Sequence, residues 1–132
     1  MTVTLAQAAA MRDAFDRIEE SYEFMLAYAA QGRKREVEEG SGESQIRQYL
    51  NRFSGALIDL NTALSDGLGG SEGAAFTDRV RTDLTVTRSV LGLLLAQPSI
   101  SSDMIDNTNG LIALRAFLTD VFFIDQSVLP PR

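Results

Sequence analysis

The first residues in this chain that could do chemistry are carboxylates. Glu19 and Glu23 stand one helical turn apart, with Glu20 beside them. Helical bundles hold di-iron or di-manganese centres with inward-facing glutamates and a Glu-x-x-His pair on partner helices. The chain has no histidine and its other helical stretches lack inward glutamates, so these three acids read as a solvated face. Without histidine, Ser-His-Asp catalysis is impossible within the chain, and the commonest general base and transition-metal ligand are missing. Cysteine is absent as well, which excludes disulfides, zinc ribbons, iron–sulfur clusters and thiol chemistry. No cofactor and no metal are expected.

Arginine is the remaining chemical resource, since Lys34 is the single lysine among 12 basic residues. Arginine suits bidentate pairing and interfaces, although a biased genomic base composition explains the excess equally well. Arg115 draws most interest because its neighbours on both sides are apolar. It can snorkel, with its stem on apolar surface and its guanidinium in water, or it can be buried and paired. Asp59, Asp83 and Asp120 are the candidate partners. An enzyme built on this chain would use arginine electrostatics on an anionic substrate. Met11-Arg-Asp-Ala-Phe-Asp-Arg-Ile18 resembles the start of the first helix of chorismate mutase, which would imply a small all-helical enzyme of that kind. No later stretch supplies a matching Arg/Lys set, and a non-enzymatic role is the reading preferred here. The run Gly67-Leu-Gly-Gly-Ser-Glu-Gly73 lacks the Lys-Ser/Thr pair and the preceding strand of a phosphate-cradling loop. It reads as an inter-helix turn, with Ser71 as a helix cap.

The 132 residues, 45% hydrophobic and 23% charged, suit one globular domain over 1–132. A formal charge of −6 argues against nucleic acid as a partner. The polar faces are mostly acidic, whereas interfacial membrane helices want lysine and arginine there, so no membrane role is expected. Met1 to Met11 shows neither a basic n-region nor a long apolar segment, and the expected compartment is the cytoplasm.

Hydrophobic periodicity supplies the elements. Ala8, Met11, Phe15, Ile18, Tyr22, Met25 and Ala29 alternate three-four and predict a helix at about 5–30. The i,i+4 pairs Arg12–Asp16 and Asp13–Arg17 support it. Gly32 can end it with a left-handed cap; the alternative carries the helix through Glu38 and Glu39 to Gly40. The opposite-sign blocks between Arg33 and Glu39 read as a solvated connector or, more sharply, a docking arm. Ile46, Leu50, Phe53, Leu57, Leu60 and Leu64 predict a second helix at about 43–65. Phe76, Val80, Leu84, Thr87, Leu91 and Leu94 predict a third at about 72–96, although Leu84 to Val90 also alternates as a strand does. The fourth is expected at about 102–126, with Asn107-Thr-Asn-Gly110 a place for it to kink or begin late. The expected fold is all-α, an antiparallel up-down four-helix bundle.

The last helix carries more apolar surface than such a bundle absorbs. Leu111, Leu114, Leu118 and Val121 share one face; Ile112, Ala116 and Phe123 share another about a third of a turn away. Either long side chains from neighbouring helices cover the second face, for instance with the Ser99 to Gly110 segment folding over it, or another chain does. The interface expected on the second alternative comprises Ile112, Arg115, Ala116, Phe117 and Phe123. The function read from the sequence is a cytoplasmic helical protein–protein interaction module, an adaptor, assembly or secretion chaperone or small regulatory subunit, homodimeric through this helix. The alternative is a bundle that binds a small apolar or anionic ligand, its cavity lined by side chains such as Phe15, Tyr22, Met25, Phe53, Phe117 and Phe122.

Overall fold

A computed structural model describes residues 3–37 and 42–131. Glu38, Glu39 and Gly40, on which the longer first helix depends, lie outside the described residues. The described chain is all-helical and contains α1 (Leu5–Ala30), α2 (Gln45–Ala63), α3 (Gly70–Leu95), α4 (Ser102–Asn109) and α5 (Ile112–Phe123). Buried apolar side chains from all five meet in one core.

The helix ends follow from local chemistry. The Thr4 and Ser44 hydroxyls accept from the N–H groups of Gln7 and Arg47 at 3.0 and 3.3 Å, capping α1 and α2. A left-handed Gly32, φ 65°, follows α1, and residues through Val37 are not helical, which settles that end against the longer alternative. Between α2 and α3 a single 3-10 turn precedes Gly67, Gly69 and Gly70, all at positive φ. Ser71 is not the cap: Gly69 occupies that position and Ser71 lies inside α3. The glycines let α3 start earlier than a side-chain cap requires.

Leu84 to Val90 is helix, not strand. Its hydroxyls turn back on the preceding turn, with Thr87 Oγ1 donating to Asp83 O at 2.8 Å and Ser89 Oγ to Thr85 O at 3.0 Å. These bonds satisfy polar groups that would otherwise compete with the helix backbone.

The expected fourth helix is two. Ser101 caps α4 through the Met104 N–H at 3.2 Å, Gly110 ends it, and Leu111 is extended (φ −65°, ψ 132°) before α5. A wider π-type turn, Ile124–Val128, closes α5. The Asn-Thr-Asn stretch is buried where it counts: Asn109 Nδ2 donates to Met25 O at 3.3 Å.

Cross-contacts fix the neighbours. Gln7 Nε2 reaches the Ala63 and Gly67 carbonyls at 3.0 and 2.9 Å, while Phe24 stacks on Tyr49 at 4.2 Å, so α1 and α2 run in opposite directions. Arg81 bonds Leu64 O at 2.7 Å and Arg47 bonds Leu95 O at 2.8 Å, so α3 runs antiparallel to α2. α4 lies on α1, where the Tyr28 hydroxyl donates to Ile100 O at 2.6 Å. α5 packs on α3.

Candidate functional site

The site is built on α5 and on the parts of α1, α3 and α4 that hold it. Leu114, Phe117, Val121 and Ile124 point inward and are buried. At about 100° per residue these positions span the side of the helix opposite Ile112 and Thr119. Ile112 is 84% exposed, Phe122 68% and Phe123 52%. Of the expected interface residues, Ile112, Arg115 and Phe123 lie at the surface and Ala116 is half-buried. Phe117 does not belong there, being 0% exposed in the core: it sits three residues from Leu114 and four from Val121, on their side of the helix. The Ser99 to Gly110 segment does not fold over Ile112; α4 lies along α1 instead.

Phe123 meets Phe76 of α3 edge-to-face, ring centroids 5.4 Å apart. Deeper in that seam, α3 and α5 bring Asp83 and Asp120 together. Asp83 is 6% exposed and bound by Arg79 at 3.1 Å, whereas Asp120 Oδ2 is buried without a donor. Burial, then a hydrogen bond that the protonated Asp120 gives to Asp83 and the like charge of that neighbour, push the Asp120 carboxyl up to about 7 against the weaker opposing pull of Arg79. A protonated Asp120 can donate to Asp83, which removes the repulsion between two buried carboxylates.

Arg115 pairs with none of the expected acids. Asp59 is taken by Arg17 at 2.7 Å, Asp83 by Arg79, and Asp120 by its neighbour carboxylate. The Arg115 Nε donates weakly to Asn109 O at 3.4 Å. Its head group lies at the junction of two open hollows of about 610 and 680 Å³ that run along α5 on the side facing α1. A narrower hollow of about 250 Å³ continues from them between α1 and α5, floored by Phe15, Ile18, Leu118 and Val121. Tyr22 borders all three. Of the aromatic and Met side chains expected to line an internal cavity, Phe53, Phe117 and Met25 are core, Phe15 is core and also floors the trough, and Tyr22 and Phe122 border the trough at the surface.

A second polar centre was hidden in the charged connector. Glu36 receives Arg47 Nε and Nη2, both at 2.8 Å, the Ile100 N–H at 2.9 Å and the Ser44 hydroxyl. Burial raises the Glu36 carboxyl, but the Arg47, Ser44 and Ile100 hydrogen bonds and the Arg47 charge outweigh it and hold the group below the usual range. This acid is a structural clasp, not part of a mobile arm. Glu19 and Glu23 are exposed, and Glu20 pairs with Arg52 at 2.7 Å. Among the described residues no group of three or more acids is placed to hold a metal ion, and no helix is long and apolar enough to cross a membrane.

No family model, no curated protein and no solved structure matches this chain.

Proposed function

We propose that the chain is a helical interaction module of the cytoplasm whose outer α5 face seats a second copy of itself. In this reading α4 and α5 are the two halves of one broken arm, and the fold is an up-down bundle of four arms with the break turning α5 outward. The observation that carries it is the apolar outer strip of α5, on which Ile112 remains 84% exposed. A soluble chain that leaves such a strip bare is expected to cover it with a partner. Between Ile112 and Phe123 the strip offers Ala116 and Thr119, side chains small enough for two helices to approach closely. An antiparallel two-fold through that midpoint sets Ile112 of one copy against Phe123 of the other, an isologous contact with no acid on either strip. The role is binding rather than catalysis.

Sedimentation equilibrium tests this. The wild type is expected to be a dimer and Ile112→Asp a monomer with unchanged helical circular dichroism. Ile112 is the cleaner site because Phe123 also supports Phe76; Phe123→Asp should dissociate the dimer and also loosen the fold. A wild-type protein that stays monomeric at every concentration would refute the reading.

A further inference from the structure

We propose that the trough between α1 and the α4–α5 arm binds an amphipathic monocarboxylate, an acyl chain of medium length whose head group pairs with Arg115. The trough has two chemically distinct ends. At one end stand Arg115, the Tyr22 ring and the side chains of Asn107 and Asn109. Arg115 carries no carboxylate among the described residues, and a guanidinium beside apolar surface is the side chain best matched to a carboxylate head. Asp106 is the acid at that end.

The other end is the 250 Å³ hollow, whose walls are Phe15, Ile18, Leu118, Val121 and Phe122. Apolar walls open to water favour a chain that displaces that water. Glu19 and Asp125 border this end, and Arg12 already binds Asp125 at 3.1 Å. With Asp125 paired to Arg12, the Glu19 charge disfavours a carboxylate at this end and the Arg115 guanidinium favours one at the other, which sets the direction: head at Arg115, tail towards Val121. The helical rise from Arg115 to Phe122 is about 10 Å, which an acyl tail of medium length spans. A neutral or cationic amphiphile would leave Arg115 unmatched. α5 also begins without a side-chain cap, which adds partial positive charge at the head-group end.

This inference uses the α1 side of α5 and does not rest on the dimer. Isothermal titration calorimetry of the full chain with decanoate, kept below its micellar concentration, should show saturable binding of one molecule per chain. Decyltrimethylammonium and decan-1-ol should bind at least about tenfold more weakly, and Arg115→Gln should cost decanoate about the same factor. Leu118→Trp, which fills the hollow from a half-buried position, should abolish binding while circular dichroism stays helical. If that variant unfolds, Phe122→Ala, at a mostly exposed ring, serves instead and should weaken decanoate severalfold. Ile112→Asn, which takes the apolar side chain off the outer strip without placing a carboxylate one turn from Arg115, should bind decanoate as the wild type does, which separates failure of the dimer from failure of the site. Absence of saturable heat with decanoate would overturn the proposal. Equal binding of the three amphiphiles, or an Arg115→Gln variant indistinguishable from wild type, would overturn it too.

Discussion

At the scale of single residues the acid pair in the α3–α5 seam governs how the protein responds to pH. Asp120, lifted to about 7 from an ordinary 3.8, keeps a proton in the folded state that the unfolded chain releases earlier. Its contribution to stability is therefore fully present below about 3.8, declines as pH rises and is gone above about 7. Asp120→Asn replaces the acid with a neutral donor to Asp83 and removes that decline. The variant should melt within about a degree of wild type at pH 4 and several degrees above it at pH 8; parallel melting curves at both pH values would contradict the pairing. Nothing in the sequence announces this pair. Asp83 looks like the i,i+4 partner of Arg79, as it is, and Asp120 like a polar interruption of an apolar helix.

At the scale of elements, glycine acts by position. Gly73 sits in the first turn of α3 against the backbone of Leu68, where an added Cβ would lie 2.7 Å from a carbonyl carbon. Backbone cannot step aside as a flexible side chain can, so the start of α3 would have to shift. Gly92, exposed on the same helix, meets nothing within 4 Å. Gly73→Ala should destabilise by about 1–3 kcal/mol, in the range of overpacking, while Gly92→Ala should stabilise by up to about 1 kcal/mol through helix propensity. Urea titrations of the two variants check the opposite signs. The three-four stripes made α1, α2 and α3 legible because burial on one side repeats with the helical period. The same stripes over 102–126 did not reveal the break at Gly110 and Leu111. A helix can tolerate Asn-Thr-Asn-Gly or stop there, and the choice depended on Asn109 finding Met25 O and Ser102 finding Tyr28 O.

At the scale of the molecule, Glu36 ties the connector after α1 to the start of α2 and to the turn before α4. Its side chain is 9% exposed and that of Arg47 21%, so Glu36→Gln should cost about 2–3 kcal/mol, between an exposed pair and a fully buried one. Because the Glu36 carboxyl is held below its ordinary 4.5, its contribution is present above that value and lost as pH falls through the lowered one. The acid limb of a pH–stability profile should therefore be shallower in the variant. With Asp120 acting in the opposite direction, these two groups together should put the peak of the profile near the ordinary carboxylate values of 3.8 and 4.5, well below neutrality. Composition and period alone determined that this chain is helical, that it has no histidine or cysteine chemistry, and the main apolar stripes of α1 to α3, although Tyr22, Ala29 and Phe76 on those stripes are half-buried while Tyr28, Thr77 and Asp83 off them are buried. Those properties depend on residue type and on spacing within one helix. The arrangement of the helices decided where Phe117 points, which acid meets which base, and that Arg115 borders a trough. Each of these depends on residues brought together from distant parts of the chain, and a helical period carries no information about which turn of one helix lies against which turn of another.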